Sequence, residues 1–528
     1  MNIGINLLPL RPTKNGGMEV YFRNLLASLL MLDDKNEYSL ITAPHNDSSI
    51  QCPASNARKI LFPGKSTVFH RIGHSLNRAI RHPRASQGSL SYIIDKYRFN
   101  LWFCPFLSLD PRPLAIPSIV TIPDIQHEYY PEFFSNHELS LRKGYIQPSC
   151  EAATDIITIS KHSKQCLIDK FNVDSNKIHV IYLAASDMYH NSRIETDSAR
   201  HKYQLPQEYL FYPANCWPHK NHLILIMAFY LYHKTFNNHL HLVFSGSGIN
   251  DNPSIKDLIT QYHLQEYVHI LDYIDSNDMP GLYKNAQALV FPSLFEGFGI
   301  PLLEAMAMGC PIIASDSTSV PEVAGDAAYL FDPKNPQSIC EAIHRIVADG
   351  VLRETLISRG KNRATQYSYE KVARMHLDLF LAAREKADNA KIAYRNQEKV
   401  VLDGHYPDGW ISSRMEFKYR GPKLFRSVRM DLVGGLPIRY PMNITIILNK
   451  KKKYRIQIPA GGKYYFEGEF PECADDEFAY TIEVIPGKSY IPRKLGINND
   501  DRSISVMLNA LTLIDNTSTA TEFIKKTI

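Results

Sequence analysis

The sequence predicts an α/β protein with two doubly wound parallel-sheet domains facing a cleft, followed by a C-terminal antiparallel β-sandwich. Three observations carry that expectation. Over the first two-thirds of the 528 residues, short β-branched apolar runs alternate with helical stretches, the pattern of β-α-β units around a parallel sheet. A polar stretch at His190–His201 interrupts the alternation once and divides it into two series. After about Gly404 the chain changes to short β-prone segments separated by Gly, Pro, Asn and Asp, the texture of a sandwich.

The strands expected for the first sheet are 2–8, 38–42, 59–62, 101–103, 118–122, 155–159 and 178–181. Those expected for the second are 209–212, 241–245, 268–271, 288–291, 311–314 and 328–331. Residues 369–399 read as a charged helix. The strands expected for the sandwich are 443–448, 453–458, 464–470, 480–485 and 503–508. The corresponding domains are 1–195, 196–368, a helical brace or linker over 369–402, and 403–528. Ligands of doubly wound sheets bind beyond the carboxyl ends of the strands, so the loops there are where functional residues are sought.

Composition limits the class. Hydrophobic residues make up 44% and charged residues 21%, enough apolar content for several cores. A net charge of +5 over this length does not call for a nucleic-acid partner. No apolar run approaches the roughly 20 residues that span a bilayer. The N-terminus, Met1-Asn2-Ile3-Gly4, shows no basic leader and apolar core, so a cytoplasmic location is expected. The 8 cysteines are scattered without Cys-x-x-Cys spacing, which points to neither a zinc site nor a disulfide framework.

The most specific motif is Glu296-Gly297-Phe298-Gly299-Ile300-Pro301-Leu302-Leu303-Glu304. It follows an expected strand and opens a helix with Pro301 in the first turn. The unpaired amides of such a turn suit hydroxyl or phosphate oxygens. Glu296 in the loop and Glu304 a turn into the helix are placed to meet different parts of one elongated ligand. A second element, Tyr212-Pro213-Ala214-Asn215-Cys216-Trp217-Pro218-His219-Lys220-Asn221, follows the first strand of the second series. A third, Asn15-Gly16-Gly17-Met18-Glu19, follows the first strand of the chain and leads into a helix expected over 19–31. Paired glycines let the backbone approach a phosphate at that helix N-terminus. A Gly-x-Gly-x-x-Gly after strand one is lacking, which argues against a dinucleotide dehydrogenase.

These motifs resemble those of glycosyltransferase family 4, retaining enzymes of the GT-B fold, over roughly residues 1–370. The resemblance implies that Glu296 meets the transferred sugar and Glu304 the nucleotide ribose. It implies that the backbone of Phe298, Gly299 and Ile300 holds sugar hydroxyls. Lys220 matches the family's phosphate-binding lysine, and Gly16 and Gly17 its glycine loop. The family's arginine slot holds Asn215 here, which leaves one certain cation, with His219 a candidate to share the charge. The run Ala305–Ser315 and Pro321-Glu322-Val323 also match. The wording Trp217-Pro218-His219-Lys220-Asn221 is similar to that of the mannosyltransferase branch, so a nucleotide-sugar donor, GDP-mannose, is expected.

On the acceptor side the family often begins a cleft loop with His-Asp. Here Pro123 takes the histidine position, Asp124 is retained and His127 follows, so Asp124 and His127 are candidate catalytic residues. Ser160-Lys161-His162-Ser163 also matches the family and is expected to line the cleft. The chain has no Asp-x-Asp, and the expectation is transfer without a metal or other cofactor. Residues 58–84 carry seven Lys/Arg with Phe69, Ile72, Leu76 and Ile80 at helical spacing. That segment reads either as a helix packed on the sheet or as a basic amphipathic helix for an anionic membrane surface. In the C-terminal region Trp410 reads as a core residue or a sugar-stacking one. The functional expectation is a retaining hexosyltransferase that moves mannose onto a polysaccharide or lipid-linked glycan. A UDP-sugar donor such as UDP-glucose, and a silent glycan-binding protein, are the alternatives.

Overall fold

The structure is a computed structural model, and it describes residues 1–62, 89–112, 114–190, 196–236, 239–271, 274–396, 399–405, 411–420, 425–434, 442–458, 462–471, 480–487, 506–515 and 520–525. The chain forms two compact units, Met1–Glu385 and Lys386–Ile528.

The first unit contains two parallel sheets. Strands β1 (Asn2–Asn6), β2 (Glu37–Thr42), β3 (Ala57–Leu61), β4 (Leu101–Cys104), β5 (Ser118–Thr121), β6 (Asp155–Thr158) and β7 (Ile178–Val180) pair in the order β3-β2-β1-β4-β5-β6-β7. Strands β8 (Tyr209–Pro213), β9 (His241–Ser245), β10 (Val268–Leu271), β11 (Ala288–Phe291), β12 (Ile312–Ser315) and β13 (Tyr329–Phe331) pair in the order β10-β9-β8-β11-β12-β13. The central strands β4, β5, β6, β11 and β12 are buried at every position. Helices cover both faces of such a sheet, which is why these strands read as continuous apolar runs rather than alternating ones.

Strand order reverses between β1 and β4 in the first sheet and between β8 and β11 in the second. Loops leaving the sheet on either side of a reversal diverge and open a crevice, the place where doubly wound sheets hold ligands. The glycine loop leaves β1, the Lys220 loop leaves β8 and the Glu296 loop leaves β11. The three strongest motifs of the sequence therefore stand at the two switch points.

The helix Tyr369–Asn396 follows the second sheet in the chain but packs its first half on the first. Tyr369, Val372, Ala373, Phe380 and Ala383 are buried. Phe380 lies 5.2 Å, centroid to centroid, from Phe103 of β4. His376 Nε2 is 2.7 Å from the Tyr21 hydroxyl, and its Nδ1 donates to Val372 O, so the ring is held neutral between a donor and an acceptor. Burial pushes its pKa down to about 4.

The second unit is antiparallel. Strands β14 (Lys399–His405), β15 (Ile411–Arg420), β16 (Phe425–Gly434), β17 (Met442–Leu448), β18 (Lys452–Ile458), β19 (Lys463–Glu469), β20 (Tyr480–Pro486), β21 (Val506–Asp515) and β22 (Ala520–Lys525) form two sheets, β14-β15-β20-β17-β18 and β19-β16-β21-β22. Residues from both sheets, among them Phe417, Ile446 and Val484 from one and Val428, Leu511 and Leu513 from the other, share one apolar core. This is the expected sandwich, with more strand than expected. Strands β14, β15, β16 and β22 add to those read from the sequence, and the expected strand at 503–508 is observed as β21 over 506–515. In β15, Met415, Phe417 and Tyr419 are buried and alternate with Arg414, Glu416 and Lys418. Three charges in that alternation lower its mean hydropathy and hide the period-two signal. Lys399, expected as the last helical residue, begins β14.

Residues 63–84 of the basic segment lie outside the described residues, as do Trp410 and Asp500–Arg502. Arg58 and Lys59 belong to β3 and are engaged within the fold. Arg58 donates to Ser39 Oγ at 2.9 Å, and Lys59 pairs with Asp47 at 3.1 Å. Among the described residues no helix is long and apolar enough to cross a membrane. The seven described cysteines are free thiols.

Candidate active site

The loop after β8 is fixed before it reaches Lys220. Gly246, at the end of β9, packs so closely that a Cβ there would fall 2.4 Å from Ala214 O. A short turn at Pro218–Lys220 ends in Asn221 with a left-handed φ of 62°. Asn221 donates to Pro292 O at 3.0 Å and Pro333 O at 2.7 Å, stitching this loop to the one after β11. Leu294 N donates to His219 O and the Tyr212 hydroxyl to Lys220 O, both at 2.8 Å. The side chain of Lys220 then donates to Glu296 Oε1 at 2.5 Å.

Glu296 is 9% exposed, so its charge needs a partner. Its amide donates to Thr318 Oγ1 at 3.0 Å, and its carbonyl accepts from Ser319 Oγ at 2.9 Å. Burial alone would raise the carboxyl's pKa. The Lys220 ammonium, with His219 and Ser293, outweighs burial and holds it below the usual carboxylate value. Lys220, half-buried, and the buried Glu296 thus form a charged pair at the switch point of the second sheet.

The first lobe meets this pair directly. A side chain on Gly297 would lie 3.0 Å from Asp124 Oδ2 and 3.1 Å from Pro123 O, so the loop after β5 abuts the Glu296 loop. Burial raises the Asp124 carboxyl, Gln126 N donates to its Oδ1 at 3.0 Å, and Glu296 adds a like charge. Two neighbouring carboxyl groups are therefore pushed in opposite directions, Glu296 toward the anion and Asp124 toward the acid. The first residues of two helices also approach each other. A Cβ on Gly17, which opens helix Gly17–Leu32, would be 3.8 Å from the Ile300 side chain, which opens helix Ile300–Met308. Gly16 (φ 52°) and Gly299 (φ 105°) precede them with backbone angles that favour glycine. The partly positive N-termini of both helices therefore lie at this gap.

Other expected residues are placed differently. Glu304 accepts from the Tyr283 hydroxyl at 2.6 Å and is also hydrogen-bonded by Tyr189, and burial raises its pKa. Asn215 is exposed, and its side-chain oxygen accepts from Ser247 N at 2.9 Å, which ties the β8 and β9 loops together. Burial lowers His219 to about 4, against the opposing pull of the Glu296 carboxylate. His127 is buried, and burial together with Arg142 and Lys143 lowers it to about 4. Those two cations, not Lys220, are the charges it faces.

Comparison with known proteins fits this arrangement. The family described as "Glycosyl transferases group 1" matches residues 193–363, and "Glycosyltransferase Family 4" matches residues 15–185. The O-antigen chain mannosyltransferase B of Escherichia coli is 31% identical over 58% of this chain and 80% of its own length. The chain belongs to glycosyltransferase family 4. The O-antigen chain mannosyltransferase RfbU of Salmonella typhimurium is 30% identical to this glycosyltransferase over 50% of this chain and 69% of its own. In fold, sucrose-phosphate synthase from Thermosynechococcus elongatus superposes with a TM-score of 0.57 at 19% identity, covering 72% of this chain and all of the other. The fold is GT-B.

Three features of the glycosyltransferase's site carried little signal in the sequence. Glu322 crosses between lobes. Its carboxylate accepts from Lys161 N at 2.8 Å and His162 N at 3.1 Å, and from the Tyr182 hydroxyl at 2.7 Å. Its own carbonyl is held by Arg363 at 2.7 Å. Only its place in Pro321-Glu322-Val323 marked it. His162, rather than His127, is the histidine that feels Asp124, and burial lowers its pKa. Thr318 and Ser319 clamp the Glu296 backbone from a turn that no motif announced. A cavity of about 570 Å³ beside Phe22, Leu26 and Ile50 is lined by none of these residues.

Proposed function

We propose that this glycosyltransferase moves mannose from GDP-mannose to a polysaccharide or lipid-linked glycan, with retention at the anomeric carbon, in building a cell-surface polysaccharide such as O-antigen at the inner face of the membrane. The observation that carries the catalytic part is the Lys220–Glu296 pair, 2.5 Å apart, facing Asp124 across the cleft. The sugar and the pathway rest on the mannosyltransferase relatives and on the Trp217–Asn221 wording.

A departing nucleoside diphosphate concentrates negative charge, and fixed positive groups in a water-poor site lower that barrier most. Lys220 is placed to turn from Glu296 to the diphosphate, assisted by the helix N-termini at Gly17 and Ile300. Glu296, relieved of the ammonium, then accepts from a sugar hydroxyl, and the amides of Phe298–Ile300 hold the sugar's remaining oxygens. Glu304 has two tyrosine donors and retains lone pairs for ribose hydroxyls. Asp124, at the acceptor edge, orients the incoming hydroxyl. Contact between the lobes excludes water and favours transfer over hydrolysis. Lys220 and two dipoles replace the role that a metal plays elsewhere, so full turnover in EDTA is expected.

Calorimetry with GDP-, UDP- and ADP-sugars tests the donor. GDP-mannose is expected to bind, and selective binding of a UDP-sugar would replace it. Glu296→Ala is expected to abolish transfer, and an unaffected rate would overturn the site.

A further inference from the structure

The acceptor lobe holds a second charged cluster that the donor chemistry does not use. His127 is 1% exposed, and neither ring nitrogen has a hydrogen-bond partner. An imidazole buried in that state is costly, because a donor and an acceptor are both left unsatisfied. The groups facing it are Glu128, Arg142 and Lys143. Glu128 Oε1 is 3.5 Å from Nε2, with no hydrogen bond between them. The Phe134 ring stands edge-on to His127 at 6.3 Å and carries the Arg142 guanidinium 4.6 Å from its centre, which brings Arg142 to the neighbourhood of His127. Among the described residues neither Arg142 nor Lys143 is in an ion pair. Arg142 also acts electrostatically on Asp124, the residue that abuts Gly297.

We infer that His127, Arg142 and Lys143 form a binding site for a phosphoryl group of the acceptor, such as the phosphate linking a glycan to its lipid carrier. Two cations outside any ion pair among the described residues supply the charge, Arg142 acting at longer range on Glu138 and Asp124, and the guanidinium adds a planar two-pronged donor matched to phosphate. A bound anion would satisfy His127 by accepting from its ring N–H. It would also offset the two cations that now disfavour a proton there. The inference rests on the proposed acceptor class, but its first test needs neither donor identity nor turnover.

The full chain is saturated with GDP to fill the donor lobe and titrated calorimetrically with inorganic phosphate. Binding is expected, and is expected to weaken at least tenfold in the doubly substituted Arg142→Gln/Lys143→Gln protein. No binding to wild type, or binding that survives the double substitution, would overturn the site. So would displacement of the bound GDP by phosphate, which would assign the anion to the donor lobe. His127→Asn keeps a donor of similar size and is expected to retain most of the affinity, whereas His127→Phe is expected to lose it. A further arm separates the source. Neutral phosphatidylcholine vesicles doped with a polyprenyl phosphate are expected to bind the protein through Arg142 and Lys143. Equal binding to phosphatidylglycerol vesicles would overturn the acceptor assignment in favour of a membrane headgroup. Failure of GDP to bind at the outset would count against the donor reading alone.

Discussion

In the second lobe, the loops after β8 and β11 bring a lysine and a glutamate to 2.5 Å and anchor both backbones with side-chain hydrogen bonds. In the first lobe, the loop after β5 brings a carboxyl that burial drives toward its neutral form and a histidine that burial holds neutral. The two sides of one cleft thus treat charge in opposite ways. The second lobe keeps full charges, mutually compensated in the Lys220–Glu296 pair. The first lobe has burial pushing both its inner groups, Asp124 and His127, toward their uncharged forms, with Arg142 half-buried and Lys143 exposed. The difference teaches that a buried carboxyl keeps its charge where a fixed ammonium meets it, as at Glu296, and is driven toward the acid where none does, as at Asp124.

The largest effect is expected from breaking the charged pair. Lys220→Ala removes the ammonium from the diphosphate and should lower kcat by about 10²–10³ or more, the scale of losing one preorganised stabilising group. It also strands Glu296, a change that costs about 3–5 kcal/mol when a buried pair loses one partner. Adding Glu296→Gln should recover much of that stability in urea unfolding while leaving transfer inactive. A single Lys220→Ala protein of wild-type stability would show that Glu296 is not buried as described.

Next in size is the contact that holds the two sides together. Glu322→Gln takes the charge from three inter-lobe hydrogen bonds, each worth about 1.5–3 kcal/mol when charge-assisted. KM for the donor should rise more than kcat falls, and the radius of gyration in small-angle scattering should increase. Unchanged scattering and KM would remove Glu322 from any role in closure.

A smaller effect is expected from pH. His127, His222 and His376 are buried and titrate at about 4 in the folded chain, against about 6.5 when unfolded. Between those values the unfolded state binds more protons than the folded one. Stability is therefore complete above pH 6.5 and falls as pH drops toward 4, by at most about 1.4 kcal/mol per pH unit for each histidine. Thermal unfolding across pH 5–8 checks the sign, and His376→Phe should flatten the slope. The smallest effect is expected at His219. His219→Asn at pH 7 removes a neutral ring and should change kcat less than any substitution above. A loss as large as that of Lys220→Ala would mean that His219 carries charge when the donor is bound.

Much of the site was legible because its chemistry is local. The nonapeptide Glu296–Glu304, the Lys220 turn and the Gly16-Gly17 turn each declare themselves within ten residues, and each follows a strand whose apolar run is unmistakable. Asp124 was readable as an edge residue of β5 for the same reason. The burial of His127 beside Phe134 was not readable, because a one-residue change in a short turn decides which neighbours a ring meets. Glu322 could not be read as a bridge, because its partners Lys161, His162 and Tyr182 lie more than a hundred residues away and contribute two backbone amides that have no side-chain signature. The long strands β15 and β16 were obscured by their own charge.

The sequence by itself determined two parallel sheets, the sandwich after them and the motifs at the strand ends, since strand burial and turn chemistry act over a few neighbours. Only the tertiary structure decided which charges meet. Lys220 finds Glu296, Gly297 abuts Asp124, and His127 is turned to Arg142 and Lys143, because desolvation and Coulomb attraction depend on distance in space. That distance is set by the packing of the lobes and not by separation along the chain.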